Sequence, residues 1–226
     1  MVKTFYSEDG QKKEFNCVQF IDCGVQGNIY RLDDGRCLKC FNRRCSIDEK
    51  AFRIIAEMNL ANFYKIYEIL YKRKIIECKF ASYVMEYYEK DLDFDILFMP
   101  IEYTLMNFYN IFDSVNKLSE KGIFVSDLHS KNVIINKEAI TVIDVDMYTE
   151  SKLFSKENLI RKNSLAVYSL FRRLYYNALC KYYYSSYYDS DKLIIDDLFF
   201  MEDGLDQVEK KLSKCRRPID YILNNR

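Results

Sequence analysis

The stretch Gly122–Tyr148, GIFVSDLHSKNVIINKEAITVIDVDMY, carries the strongest pattern in this chain of 226 residues. Residues 133–135 and 139–143 are short apolar runs separated by a polar Asn-Lys-Glu turn. Two such runs joined by a short turn predict an antiparallel hairpin, whose strands begin and end at the same edge. The residues at that edge are therefore the first candidates for a functional site.

Three oxygen-bearing side chains are expected to meet there. Asn132 lies just before the first predicted strand, Asp144 just after the second, and Asp127 in the loop that leads into the hairpin. Hard oxygen ligands suit Mg²⁺, which keeps several of its positions for water and phosphate oxygens. The pattern thus predicts a cation held by Asn132 and Asp144, with Asp127 free to accept a proton from an attacking hydroxyl.

In the segments SDLHSKN (126–132) and DVD (144–146) the chain resembles the protein kinase superfamily. The catalytic loop of that family has an Asp followed five residues later by Asn, and its next hairpin ends in a metal-binding Asp. The resemblance implies that Asp127 is the catalytic base. It also implies ATP as the cofactor, with Mg²⁺, or alternatively Mn²⁺, bound by Asn132 and Asp144.

The resemblance continues upstream in CGVQGNIYRLDDGRCLKCF (23–41), which is similar to a glycine-rich loop and the two strands after it. Glycines let a backbone approach phosphates closely, so Gly24 and Gly27 are expected to bind nucleotide. A hairpin turning at residues 33–35 would return Lys39 beneath that loop. The resemblance implies that Lys39 contacts the α- and β-phosphates of ATP.

The segment YVMEYYEKDL (83–92) is similar to the hinge of a kinase. This likeness implies Met85 as the gatekeeper and the backbone of Glu86 and Tyr88 as the adenine-binding edge.

A kinase also holds its lysine with a glutamate from the following helix. Glu49 and Glu57 are the two candidates for pairing with Lys39, and Glu49 is preferred. The sequence DLH, which contains His129, is similar to the catalytic loop of aminoglycoside phosphotransferases. His129 could either contact phosphate or support the loop, and the sequence does not decide between these two roles.

Several departures from the family bear on function. Val125-Ser126 replaces the usual His-Arg pair, which argues against activation by phosphorylation. Asp146 stands in place of the D-F-G glycine and is either a second carboxylate near the metal or a strand-end cap. Fewer than twenty residues separate Asp144 from the next predicted helix, so no regular activation segment fits. Minimal kinases that pathogenic bacteria inject into host cells share this truncation.

Local patterns predict the elements of secondary structure. A helix is expected from Ser46 to about Leu60, with Ser46 and Glu49 as a capping box. Another carries an apolar stripe from Leu105 to Leu118 and stops at Gly122. An amphipathic helical pattern also covers 203–218, and the run 163–176 is similar to the long helix at the centre of the kinase C-lobe. Strands are predicted over the segments 18–21, 29–32, 36–41, 64–70, 73–80 and 82–88.

These patterns and the resemblance together predict an α+β, bilobal protein kinase-like fold in a single domain, 1–226. Its N-lobe, about 1–87, would be a small antiparallel β-sheet with one helix. Its C-lobe, about 88–226, would be reduced and mostly α-helical.

Charge and composition limit the classes of binding partner that are expected. Thirty-four basic residues balance thirty-four acidic ones, and no long apolar run suits a membrane, so nucleic acid and membrane partners are not expected. Eight cysteines without dense spacing fit reduced thiols and a cytoplasmic location, or delivery into a host cytosol by a dedicated secretion system.

The leading functional expectation is a serine/threonine protein kinase acting on a protein substrate, in the manner of a bacterial effector acting on host proteins. A small-molecule phosphotransferase and a nucleotide-binding pseudokinase are the alternatives. The oligomeric state stays open.

Overall fold

The computed structural model describes residues 1–24, 26–42, 46–73, 78–89, 94–182, 188–201 and 204–225. The chain forms two compact units. The first comprises residues 1–59 and 64–89, and the second comprises residues 60–63 and 90–226.

The first unit is built on six antiparallel strands, and one helix follows the fourth of them. The strands are β1 (Val2–Tyr6), β2 (Lys12–Cys23), β3 (Gly27–Leu32), β4 (Cys37–Phe41), β5 (Ile66–Arg73) and β6 (Cys78–Met85). They pair in the order β1-β2-β3-β4-β6-β5, and β5 returns to β1, so the sheet closes into a barrel. Phe5, Phe15, Leu32, Leu38 and Val84 fill its interior.

The predicted fold class is wrong. A bilobal kinase-like fold with a small antiparallel β-sheet N-lobe was expected, and the observed element is a closed six-stranded antiparallel barrel. The strand Val2–Tyr6 was not predicted, and its Tyr6 pairs with Tyr71 of β5 to close the ring. The α+β character itself is retained. The predicted strand over 73–80 straddles the end of β5 and the start of β6, and its residues 74–77 lie outside the described part of the chain.

Helix α1 (Glu49–Glu57) follows β4 and buries Ala51, Phe52 and Ile55. The Phe52 ring packs 4.8 Å from the ring of Tyr83 on β6, which anchors the helix to the barrel. The predicted capping box is wrong. The N-cap is Asp48, whose carboxylate accepts the Ala51 amide at 3.1 Å and so satisfies a free N–H at the start of the helix.

The second unit is mainly helical. It contains α2 (Ile101–Glu120), α3 (Lys156–Tyr182), α4 (Tyr188–Leu198), α5 (Leu205–Leu212) and α6 (Pro218–Asn224). Phe108 of α2 is buried edge-on against Phe171 of α3, with ring centroids 4.7 Å apart. Gly122, with φ of +76°, follows the end of α2 as predicted. Among the described helices, none combines the length and apolar character needed to cross a bilayer.

Two short antiparallel strand pairs also belong to this unit. Strands β7 (Ile123–Phe124) and β10 (Thr149–Glu150) pair antiparallel, and β8 (Val133–Ile135) pairs antiparallel with β9 (Ile140–Val142). The β8–β9 hairpin predicted from the sequence is confirmed, with Val133 opposite Val142 and Ile135 opposite Ile140. The segment between β7 and β8 contains Asp127.

Candidate functional site

Each oxygen of the Asp127 carboxylate lies close to a neighbouring side chain. Asn132 donates from Nδ2 to Asp127 Oδ2 at 3.0 Å and to the Asp127 carbonyl oxygen at 3.0 Å. His129 Nε2 lies 3.2 Å from the other carboxylate oxygen, Oδ1. The Asp127 side chain retains 36% of its exposure, so it is oriented from within the loop yet open to an incoming hydroxyl.

His129 caps a single 3₁₀ turn, residues 130–132. Its Nδ1 accepts the Lys131 amide at 3.2 Å, and its Nε2 lies 3.2 Å from Asp127 Oδ1. His129 therefore contacts both the loop backbone and the Asp127 carboxylate. Lys131 is exposed.

Asn132 and Asp144 lie at the open end of the β8–β9 hairpin. The Ile143 amide donates to the Asn132 carbonyl at 2.8 Å, which extends the hairpin pairing to the residues beside these side chains. Asp144 adopts a left-handed backbone with φ of +61°, a conformation that is uncommon outside glycine and concentrates at functional positions.

The segment after Asp144 folds back along the loop before Asp127. Phe124 of β7 pairs with Thr149 of β10, and the Ser126 hydroxyl donates to the Met147 carbonyl. Asp146 and Tyr148 in this segment are each only 1% exposed, so both side chains point into the unit.

Asn163 of α3 holds the chain that enters the loop. It is completely buried, and its Oδ1 accepts the Val125 amide at 3.0 Å. Its Nδ2 donates at 2.8 Å to both the Ile123 carbonyl and the Ser119 hydroxyl. All of its amide hydrogen-bonding groups are thus used to connect α2, β7 and α3 two residues before Asp127.

Asn107 of α2 holds the hairpin in a comparable way. This completely buried residue accepts the Ile140 amide at 2.8 Å and donates to the Glu138 carbonyl at 2.9 Å. Asn62 donates to the same Asn107 oxygen and, at 2.8 Å, to the Ile140 carbonyl.

Sequence reasoning missed Asn107, Asn163 and Tyr148. Asparagine is a weak helix former, so an asparagine on the apolar side of each predicted helix was the available signal for the first two.

In the barrel unit, Lys39 lies within β4 and is 4% exposed. Its Nζ donates to Gln26 Oε1 at 3.4 Å, so the lysine reaches the turn that joins β2 to β3. The Gly24 amide donates to the Gly27 carbonyl at 2.8 Å and closes that turn. A Cβ on Gly27 would lie 2.3 Å from the Cys40 carbonyl oxygen, so close strand packing alone requires glycine there.

The predicted partner of Lys39 has other contacts. Glu49 accepts from Arg53 Nη2 at 3.1 Å and from the Tyr71 hydroxyl at 3.0 Å. Glu57 lines a groove on the barrel, described below. The pairing of Lys39 with either glutamate stays a prediction.

The hinge candidates lie at the end of β6. Met85 is its last residue and pairs with Cys37 and Ile66. The Glu86 amide donates to the Lys65 carbonyl at 2.9 Å, and the Tyr88 hydroxyl donates to Glu86 Oε2 at 2.7 Å. Burial, followed by that hydrogen bond, raises the pKa of Tyr88. The tail of the predicted hinge, 90–92, lies outside the described residues.

A groove of about 620 Å³ runs along the barrel between the β1–β2 turn, α1 and β5. Its charges are largely paired: Arg53 binds Glu8 at 2.8 Å, and Lys13 binds Glu68. None of the catalytic candidates of the second unit lines this groove, so we assign it no part in the chemistry.

The donor set at the hairpin suits a hard cation with few protein ligands. Because Asn132 turns its NH₂ group to Asp127, its Oδ1 is the atom that would face a cation beside Asp144. In the described part of the chain, no three His, Cys, Asp or Glu side chains cluster as a metal site. A dedicated all-protein metal cage is therefore not observed there, whereas Mg²⁺ held by two oxygen ligands, water and phosphate fits these residues.

Comparison with models of known protein families gives no match, and comparison with curated proteins gives no match either.

Proposed function

We propose that this chain is an ATP-dependent phosphotransferase that transfers the γ-phosphoryl group to a hydroxyl, with a protein serine or threonine as the favoured acceptor. The observation that carries the proposal is the Asp127 carboxylate, which accepts a hydrogen bond from Asn132 at one oxygen and lies 3.2 Å from His129 Nε2 at the other, while staying partly exposed. The spacing of Asp127, Asn132 and Asp144 resembles that of protein kinase catalytic residues and supports this reading.

The acceptor hydroxyl would approach Asp127, which takes its proton as the new bond from oxygen to the γ-phosphorus forms. The bond between that phosphorus and the β–γ bridging oxygen breaks, and ADP leaves. Asn132 and His129 would keep the carboxylate aimed during this step, so little reorganisation is needed at the moment of transfer. His129 is assigned this orienting role because its Nδ1 already accepts a backbone amide.

A divalent cation is part of the proposal. Asn132 Oδ1 and the Asp144 carboxylate would hold it, and when bound it would neutralise charge on the phosphate oxygens. The left-handed backbone of Asp144 supports a functional assignment. This conformation is costly for a residue other than glycine, and such residues cluster at functional sites.

The barrel unit is proposed to contribute Lys39 and the turn around Gly24 to nucleotide binding. Lys39 is buried and already contacts Gln26 in that turn. Met85, Glu86 and Tyr88 are proposed for the adenine. The free thiols among the described cysteines agree with a cytosolic setting, the host cytosol included.

The test is to incubate the protein with γ-labelled ATP and Mg²⁺, adding a cell lysate in one arm and a panel of hydroxylated small molecules in the other. Asp127→Ala and Asp144→Ala are the inactive variants. Asp113→Ala is the matched control, because Asp113 is a well-exposed acid on α2 paired only locally with Lys117.

Label in protein bands that disappears with the first two variants and persists with the third supports the proposal. Label found only in small molecules would show that the acceptor is a small molecule and not a protein. Nucleotide binding without any transfer would overturn the enzyme assignment.

A further inference from the structure

Tyr148 shares with Tyr175 a position that is unfavourable for a tyrosine, with a buried hydroxyl that lacks a hydrogen-bond partner among the described residues. Tyr148 is 1% exposed. Burying a hydroxyl in this state is unfavourable, so such groups are rare and ask for an explanation. Packing alone would be served equally well by phenylalanine.

The backbone places Tyr148 in the short segment between Asp144 and the strand that pairs with β7. Its amide donates to the Val145 carbonyl at 3.0 Å, closing a tight turn directly after Asp144. The next residue, Thr149, pairs with Phe124, so the chain entering β10 runs beside the chain that leaves β7 toward Asp127. Burial, then the charges of Asp127 and Asp144, raise the pKa of Tyr148 and keep its hydroxyl protonated. The side chain is therefore a neutral, buried donor in the segment that links Asp144 to the strand paired with β7, and its hydroxyl makes no hydrogen bond to a described residue.

We propose that Tyr148 is a positioning residue of the cation site, and that its hydroxyl donates to the Asp127–Asp144 carboxylate pair when a divalent cation is bound. Cation binding would then satisfy a buried hydroxyl that has no hydrogen-bond partner among the described residues. Groups that hydrogen-bond to metal ligands orient those ligands, and their loss commonly lowers metal affinity. The inference rests on the cation site of the proposed function, although it requires no turnover.

The experiment measures Mn²⁺ binding by water-proton relaxation, without nucleotide, for the full chain and three variants. Tyr148→Phe is expected to lower the affinity about tenfold. Asp144→Asn is expected to abolish binding at this site. Tyr175→Phe is the matched control, because Tyr175 is equally buried in the same unit, but its hydroxyl lies near Thr104 and Asp95. It should bind Mn²⁺ as the parent does.

Thermal unfolding separates this role from simple packing. Without cation, Tyr148→Phe should unfold at the same temperature as the parent or higher, because a buried unpaired hydroxyl has been removed. With saturating Mn²⁺ it should gain less stability than the parent. A tyrosine that serves packing alone would change both temperatures equally.

Parent-like Mn²⁺ affinity in Tyr148→Phe overturns the inference, as does absence of Mn²⁺ binding by the parent chain. Failure of the proposed function is distinguishable. If Tyr148→Phe weakens Mn²⁺ binding while no phosphoryl transfer is ever detected, the inference stands and the phosphotransferase falls. If transfer requires Asp127 but Tyr148→Phe binds Mn²⁺ normally, the phosphotransferase assignment stands and the inference about Tyr148 is wrong.

Discussion

The orientation of the His129 ring depends on one hydrogen bond, which places its other nitrogen near Asp127. The order Asp-Leu-His-Ser-Lys-Asn predicted a catalytic loop, but it left the task of His129 open. The bond from the Lys131 amide to Nδ1 turns the other ring nitrogen toward Asp127. That relation arises from the 3₁₀ turn, which residue types alone do not encode.

His129→Ala should lower kcat roughly 10- to 100-fold with little change in the KM for ATP, because a less constrained carboxylate is misplaced in part of the population. Steady-state kinetics at saturating acceptor measures both constants. The Lys131→Ala variant is the control, as its side chain is exposed. A raised KM for ATP with unchanged kcat would instead assign His129 to phosphate binding.

At the scale of elements, local patterns predicted what local forces determine. The β8–β9 hairpin and helices α2 and α3 follow from alternation and helical periodicity, and their existence is confirmed. The strand Val2–Tyr6 was missed, since five residues before a polar turn carry a weak signal. The cap of α1 fell on Asp48, because the carboxylate nearest the helix start reached the Ala51 amide.

Gly27 was predicted to bind phosphate, yet strand packing already requires it. Gly27→Ala should destabilise the protein by about 1–3 kcal/mol, because its Cβ would collide with the Cys40 backbone. Gly24→Ala is the control, with its Cβ 3.9 Å from the closest backbone oxygen, and should cost about 1 kcal/mol or less. Urea unfolding of both variants checks this, and equal midpoints would contradict it.

Asn163→Ala tests the connection between α3 and the catalytic loop. The substitution leaves the buried Val125 amide without its acceptor, so we expect a loss of about 1–3 kcal/mol in the free energy of unfolding. Asn158→Ala, on the exposed face of the same helix, should change it by about 0.5 kcal/mol or less. Chemical denaturation monitored by circular dichroism gives both values, and similar values would argue against the network.

At the scale of the whole molecule, the prediction failed where the fold depends on distant contacts. Closure of the barrel depends on Tyr6 meeting Tyr71, a pair far apart in sequence that no local pattern reveals. The β8–β9 hairpin was easier to predict, because its strands and the residues that flank them lie within one short segment of sequence. Tyr148 was within that segment too, but one tyrosine among twenty carries no signal of burial.

The short connection between the site and α3 leads to a prediction about regulation. Only residues 145–155 separate Asp144 from α3, and β10 occupies part of that span. With no room for a long phosphorylatable loop, activity should be constitutive. Treatment of the purified protein with a phosphatase, followed by removal of the phosphatase, should leave the rate of phosphoryl transfer unchanged. A fall of tenfold or more would reveal a phosphorylated form that the account does not include.

The most direct test of the account is the rate of phosphoryl transfer by Asp127→Asn, with the parent chain and Asp113→Asn measured in parallel. Asparagine keeps the size of the side chain but cannot accept the proton of the attacking hydroxyl. General-base catalysis typically contributes about 10²–10⁴-fold, so the account predicts a loss in that range with nucleotide binding retained. A rate within twofold of the parent would contradict the central claim that Asp127 is the catalytic base.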